Sequence, residues 1–261
     1  MRTLVLELMA RTRTSLGWWL LGILAMATYV VLVYDSIGAL SELGDLYRSY
    51  PPAVRNLIGD VDITTINGWI HVEFLSWLPL VLAVYAGILV ASSVSKESEQ
   101  QTLDFVLGLP VTRSQFLVSR LAVGLLNLLF VCFIIFGALT LGVWLVGHTP
   151  SPDRYALALV NAYMLSAAML TAFLALATVI DDQARLSGVT LGGTLALYVA
   201  TGALKAAGAP NAVLWLVPFE HYHAAEAMSG QALPVWPVVL LGVAIAVAMA
   251  AAVWHYGRRD L

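Results

Sequence analysis

Apolar side chains in this sequence are gathered into six long runs without a charged residue. A helix of about 20 residues crosses a hydrocarbon core of about 30 Å, because it rises about 1.5 Å per residue. The runs lack the alternation of barrel strands, and open strand edges would leave backbone groups unpaired in lipid. The pattern therefore predicts six transmembrane helices, at residues 16–34, 74–94, 121–147, 155–180, 186–204 and 235–254.

The segment before the first run has a different pattern. Residues 1–15 carry three arginines and an apolar stripe formed by Leu4, Val5, Leu8 and Met9. We expect an amphipathic helix that lies along the cytoplasmic interface before the chain turns into the membrane. A cleavable signal peptide is the alternative, since Ala25-Met26-Ala27 resembles a cleavage site, but the apolar run continues to Tyr34.

Basic residues are distributed unevenly between the connections. With the amino terminus inside, four basic residues are external, namely Arg48, Arg55, Arg154 and Lys205, and nine are cytoplasmic, namely Arg2, Arg11, Arg13, Lys96, Arg113, Arg120, Arg185, Arg258 and Arg259. The positive-inside rule favours this orientation. Both termini are then predicted to be cytoplasmic, in a multi-pass protein of the cell membrane.

Composition excludes several classes of protein. The 261 residues are 60% hydrophobic and 11% charged. A typical soluble domain is about 45–50% apolar and about 25% charged, so the composition excludes a soluble globular protein. The net charge is −3 and no basic stripe is present, so we expect no nucleic-acid partner. Cys132 is the single cysteine and can form neither an internal disulfide nor a cysteine cluster for zinc. Residues 1–261 are predicted to form one membrane domain.

Motifs that carry chemistry are mostly missing. Lys96 and Lys205 are the only lysines and neither follows glycine, so the chain has no P-loop, and no catalytic or dinucleotide-binding motif was found. We therefore expect no catalytic residue and no cofactor on this chain. The predicted spans contain no Asp, Glu, Lys, Arg or His, which disfavours an ion-coupled secondary transporter and a membrane-embedded enzyme without excluding either.

A few polar residues remain as candidates. Asn127 and Asn161 lie inside predicted spans and could line a substrate path, although hydrogen bonding between helices is the simpler interpretation. His221, His223 and Glu226 lie in the last external connection and could offer metal ligands. A short external helix at the headgroup level explains them without a metal, so we predict no metal site.

The connection at residues 95–120 has a clear local pattern. Ser98 with Gln101 can form a capping box that starts a helix, and Pro110 ends it. One face of this helix would carry Leu103, Val106 and Leu107. These residues predict a short amphipathic helix across the cytoplasmic end of the bundle, and an ordinary interfacial loop helix would have the same pattern.

The same connection carries a resemblance. Glu97-x-Glu99-x-x-Thr102-Leu103 and Leu107-Gly108-Leu109-Pro110-Val111-Thr112-Arg113 resemble the corresponding stretch of ABC-2-type permeases, the membrane subunits of ATP-binding-cassette exporters. The number of spans and the long first external loop resemble that family too. One departure is Gln101, where such proteins often have glycine.

The resemblance implies an all-α fold of six helices that pairs with a second permease copy, identical or similar, in a prokaryotic membrane. It also implies two copies of a separate ATP-binding subunit, which would hold ATP and magnesium and drive export. Because the spans are uncharged and rich in Leu, Val, Ala and aromatic residues, we expect the substrate to be apolar or amphipathic. In the family the loop helix docks on that subunit. Carried over to this sequence, the coupling residues are Glu97, Glu99, Thr102, Leu103, Leu107, Pro110 and Arg113.

Overall fold

The computed structural model describes residues 2–37, 44, 45, 49, 61–92 and 113–257, with side chains from Leu8 to His255 except at Arg113 and Ser114. Every regular element in these ranges is helical. Six helical segments are long and apolar enough to cross a membrane: Leu8–Tyr34, Ile66–Val90, Gln115–Leu145, Pro152–Ala177, Gln183–Ala206 and Val235–His255. The predicted all-α fold with six spans is confirmed.

The helices are numbered in chain order. They are α1 (Arg2–Tyr34), α2 (Ile66–Ile70), α3 (Leu78–Val90), α4 (Arg113–Leu145), α5 (Pro152–Ala177), α6 (Gln183–Ala206), α7 (Asn211–Leu214), α8 (Ala224–Met228) and α9 (Val235–Gly257). A π turn at His71–Leu75 connects α2 to α3, and a 3-10 turn at Pro218–His221 separates α7 from α8. The short turns after α4 and α5 define two ends of the bundle, named here the Ser151 end and the Asp182 end.

The first helix differs from the sequence prediction. Instead of an interfacial helix over 1–15 followed by a span over 16–34, α1 is one helix of 33 residues. Its early part packs against the bundle, since Leu8 is buried and Thr12 Oγ1 accepts a hydrogen bond from Asn127 Nδ2 of α4 at 3.2 Å. No proline interrupts this segment, so the helix continues through the boundary where the charges end.

The second span also begins earlier than predicted. Its helical segment starts at Ile66 rather than at residue 74, so His71 and Glu73 belong to the same helical run as the apolar residues that follow. The predicted boundary was drawn at the last charged residue. Helix formation does not stop at a charge, because the backbone hydrogen bonds continue whatever the side chain.

Helix α5 lies at the centre of the bundle and packs against α3, α4 and α9. Small residues allow neighbouring helices to approach closely. A Cβ atom on Gly124 of α4 would lie 2.6 Å from Leu170 Cδ2 of α5, and one on Gly87 of α3 would lie 3.0 Å from Thr190 Oγ1 of α6. Such close packing between small residues is how helices associate in lipid, where no hydrophobic force draws them together.

Candidate functional site

The predicted coupling residues lie mainly outside the described part of the chain. The structure does not describe Glu97, Glu99, Thr102, Leu103, Leu107 and Pro110. Arg113 is the first residue of α4, and its side chain is not described. The structure therefore locates the two ends of the loop and not its contacts. The role of these residues stays a prediction.

Four helices meet where that loop is attached to the bundle. They enclose a narrow space of about 20 Å³. Its walls are Leu8 and Thr12 of α1, Leu89 of α3, Arg120 of α4, and Leu170 and Leu174 of α5. Arg120 is only 7% exposed, and its guanidinium lies 4.8 Å from the centre of the Phe116 ring. A displacement of the loop would therefore act on packed helices rather than on a loose terminus.

The turn between α5 and α6 lies at the same end. Asp182 caps α6, with its carboxylate accepting a hydrogen bond of 2.5 Å from the backbone N–H of Arg185. Thr178 Oγ1 lies 3.4 Å from His255 Nδ1, so the turn contacts the last turns of α9. The turn is therefore tied to α6 and to α9 at the end where the loop is attached.

The two candidate asparagines have different surroundings. Asn127 is buried and donates to Thr12 across the α1–α4 contact. Asn161 is 1% exposed and bonds to residues outside the transmembrane helices: its Oδ1 accepts from the backbone N–H of His223 at 2.6 Å, and its Nδ2 donates to the backbone oxygen of His221 at 3.1 Å. Asn161 thus attaches α5 to the connection that precedes α9.

That connection, residues 211–228, is called the cap segment. It packs against α5, against the end of α6 and against the π turn, at the Ser151 end. Tyr222, within it, donates a hydrogen bond of 2.9 Å from its hydroxyl to the backbone oxygen of Leu75. Tyr198 of α6 makes a longer contact, 3.4 Å, to the backbone oxygen of Ser76.

A proline explains why Leu75 can accept that bond. The helical donor for its carbonyl would be the N–H of residue 79, but residue 79 is proline and has no N–H. Leu75 is fully buried, so an unpaired carbonyl there would be costly. Tyr222 supplies the missing donor from a residue 147 positions away. Burial raises the pKa of Tyr222 well above its usual value, which keeps the phenol protonated as a donor.

Charged groups in and beside the cap segment are paired. Lys205, in the last turn of α6, lies 2.8 Å from Glu220 Oε2, and His223 Nδ1 lies 3.1 Å from Glu226 Oε1. Burial alone would raise the pKa of Glu226, but the hydrogen bond from His223 and the nearby positive charges hold it below its usual value. These groups line a polar cavity of about 220 Å³ together with His71 and Tyr198.

His221 has a different environment. It is 3% exposed, and its Nε2 donates to the backbone oxygen of Trp215 at 3.0 Å. Its Nδ1 is buried and has no hydrogen-bond partner among the described residues. Burial lowers the pKa of His221, more than the Trp215 hydrogen bond and Glu220 raise it. The lowered pKa favours the neutral form of His221, and its bond to Trp215 links two parts of the cap segment.

The metal-ligand candidates are separated by these contacts. Only His223 and Glu226 meet, while the His221 ring points to Trp215. Within the described ranges, no group of three or more His, Cys, Asp or Glu residues is arranged to hold a metal ion.

Comparison with known proteins decides the family. The sequence model described as "ABC-2 family transporter protein" matches residues 9–261, which is nearly the whole chain. The chain belongs to the ABC-2 transporter family. No curated protein matches it significantly. Family membership makes this ABC-2 protein a multi-pass permease subunit of an ABC transporter, a class that works with an ATP-binding subunit and is not itself catalytic.

Sequence reasoning missed two residues of this ABC-2 permease, Tyr222 and Glu73. Pro79 inside an apolar run was a signal that a carbonyl four residues earlier needs an outside donor, but nothing in the sequence indicates which residue supplies it. Glu73 was assigned to a connection because the second span was started one residue after it.

Proposed function

We propose that this permease exports an apolar or amphipathic substrate, driven by ATP hydrolysis in a separate subunit that docks on residues 95–120. The observation that carries the proposal is where that loop joins the fold: along the chain it lies between α3 and α4. Both helices pack against the central α5, and α4 also packs along α1. A movement of the loop would therefore reach most of the bundle.

The orientation that suits this proposal has the Asp182 end in the cytoplasm. Basic residues support it, because the described ones at that end include Arg11, Arg13, Arg120 and Arg185, against Arg154 and Lys205 at the Ser151 end. The positive-inside rule then places the cap segment outside. In the proposed mechanism, ATP closes the ATP-binding subunits and moves the loop, and α3 with α4 transmits the shift.

Transport requires two discrete arrangements that nucleotide favours unequally. The second span has a feature suited to this: a π turn at His71–Leu75, followed by α3 with Pro79 near its start. Proline and π turns are positions where helices bend. The Tyr222 bond crosses this position, so the cap segment would respond to a movement of α3.

A second permease copy is part of the proposal. Helix α6 packs mainly against α3 and the cap segment. A Cβ atom added to Gly188 or to Gly192 would have no described neighbour within 4 Å, so this face of α6 is open. Their spacing, Gly-x-x-x-Gly, allows two helices in lipid to approach closely. This open face supports a symmetric contact between two copies.

The docking role of the loop can be tested with a double variant, Leu103→Asp with Leu107→Asp. We expect loss of the ATP-binding subunit from the purified complex with normal membrane insertion, because the charges would fall on the apolar face of the predicted helix. Leu216→Asp is the matched control: Leu216 is 81% exposed and lies in the cap segment at the other end. Full copurification of the ATP-binding subunit with the double variant would contradict the docking role.

A further inference from the structure

A lateral groove separates α1 from the second span. It has a volume of about 450 Å³ and an almost entirely apolar lining, in which Trp18 and Gly22 of α1 face Phe74 and Trp77. Trp18 is 71% exposed and Trp77 is 54% exposed, so both indole rings are open to a ligand. This groove is called the tryptophan groove.

One carboxylate lines this apolar space. Glu73, in the π turn, is half-buried and is part of the groove wall. It lies seven residues after Ile66, where the second span begins, which is about 10 Å along a helix. No described residue makes a hydrogen bond or an ion pair with the Glu73 carboxylate. A carboxylate in an apolar wall is costly unless a partner compensates it, and ionisable groups among apolar helices mark binding sites and pathways in membrane proteins.

We propose that the tryptophan groove binds a lipophilic organic cation, with its apolar body between Trp18 and Trp77 and its positive charge at Glu73. Three observations favour a cation. The carboxylate attracts positive charge, the faces of the indole rings add cation–π attraction, and the remaining wall offers apolar contact without competing donors. An anion of the same shape would be repelled, and a neutral compound would leave the carboxylate uncompensated.

The inference rests on the proposed function in one respect: it narrows the apolar or amphipathic substrate to a cationic one. Binding itself needs no ATP-binding subunit. It can therefore be measured on the full chain in nanodiscs, and a failure there is distinct from a failure to copurify with an ATP-binding subunit.

The experiment compares two probes of matched shape and opposite charge, labelled tetraphenylphosphonium and tetraphenylborate. We expect saturable binding of the cation, at least about tenfold weaker with Glu73→Gln, and no saturable binding of the anion. Equal affinity of the cation for the unaltered chain and for Glu73→Gln would overturn the proposal. Saturable anion binding of equal affinity would also overturn it, because the groove would then select apolar bodies only.

A second variant tests the location without removing a charge. Gly22 has nothing within 4 Å of an added Cβ, so Gly22→Phe fits the helix and fills the groove. Gly17→Phe is the matched control, since Gly17 is on the same helix, is equally open and does not line the groove. We expect Gly22→Phe to abolish cation binding and Gly17→Phe to leave it unchanged.

Two results would assign the groove differently. If both phenylalanine variants bind the cation as tightly as the unaltered chain does, the binding site lies elsewhere and the proposal is overturned. Absence of cation binding in the unaltered chain, together with a smaller dimer fraction in Gly22→Phe than in Gly17→Phe, would show that a second copy of the chain occupies the groove.

Discussion

The hydroxyl of Tyr222, in the cap segment, donates a 2.9 Å hydrogen bond to the backbone oxygen of Leu75, in the second span. Residue 79, four positions on, is proline and offers that carbonyl no N–H. The Tyr222 bond attaches the cap segment to the π turn in the second span. The link suggests that both parts of this ABC-2 permease move together.

Tyr222→Phe removes that donor and leaves a buried carbonyl unpaired. We expect a loss of about 1–3 kcal/mol in the free energy of unfolding, measured by denaturant titration in detergent micelles. Tyr198→Phe is the comparison variant and should cost less, since its contact to Ser76 is 3.4 Å long.

Pro79→Ala tests the explanation directly. Alanine restores an N–H at position 79, which can bond to the Leu75 carbonyl in the helical pattern. We expect Pro79→Ala to cancel most of the loss caused by Tyr222→Phe, giving a non-additive double-mutant cycle. Additive effects of the two substitutions would show that Tyr222 stabilises the fold in some other way.

Asn161→Leu removes both hydrogen bonds from α5 to the cap segment. The expected effect is local: faster amide hydrogen exchange in residues 211–228, with a loss of about 1–3 kcal/mol in local stability, because two buried backbone groups lose their partner. Asn127→Leu is the control, since Asn127 contacts Thr12 near the opposite end. Equal exchange of the cap segment in the two variants would argue against the assigned role of Asn161.

The cap segment should loosen in acid. The pKa of His221 is lowered by burial from 6.5, so the unfolded state binds a proton that the folded state resists. This stabilisation is complete above pH 6.5 and is lost as the pH falls below it, by at most about 1.4 kcal/mol per pH unit. Glu226, whose pKa is also lowered, acts in the same direction below its usual value of 4.5.

His221→Gln isolates the histidine contribution. Glutamine can still donate to the Trp215 oxygen but does not titrate. The opening free energy of residues 211–228, obtained from hydrogen exchange after correction for the intrinsic exchange rate at each pH, should fall between pH 7.5 and 5.5 in the unaltered chain and change little in this variant. A variant with the same pH dependence as the unaltered chain would exclude His221 as the cause.

The open face of α6 predicts how two copies meet. Gly188→Leu with Gly192→Leu should lower the dimer fraction, because the bulky side chains prevent close approach of the helices. Gly137→Leu on α4 is the matched control, since its Cβ also meets nothing within 4 Å. The measurement is the molar mass of the purified permease by light scattering in detergent. An unchanged dimer fraction would place the contact on another face.

The number and type of helices were predictable from sequence, because length and hydropathy determine what can span lipid. The limits of the spans were not, since α1 continues across residue 15 and the second span begins at Ile66. Boundaries drawn at charges miss residues such as Glu73, which a helical segment can carry beside its apolar part.

The contacts of the cap segment were beyond sequence reasoning for another reason. Asn161 was expected to pair with a neighbouring helix or to line a path, and it binds the backbone of His221 and His223 instead. Residues 60 and 62 positions apart are brought together only by the packing of the whole bundle. The apolar pattern that predicts each helix carries no information about such polar pairs.

The central claim, that this permease works through a separate ATP-binding subunit, is tested most directly by mild-detergent purification from its native membrane, followed by an ATPase assay. The account predicts that a soluble P-loop protein copurifies at equal stoichiometry and that the complex hydrolyses ATP. Recovery of the chain alone, in a form whose transport activity does not depend on ATP, would contradict it.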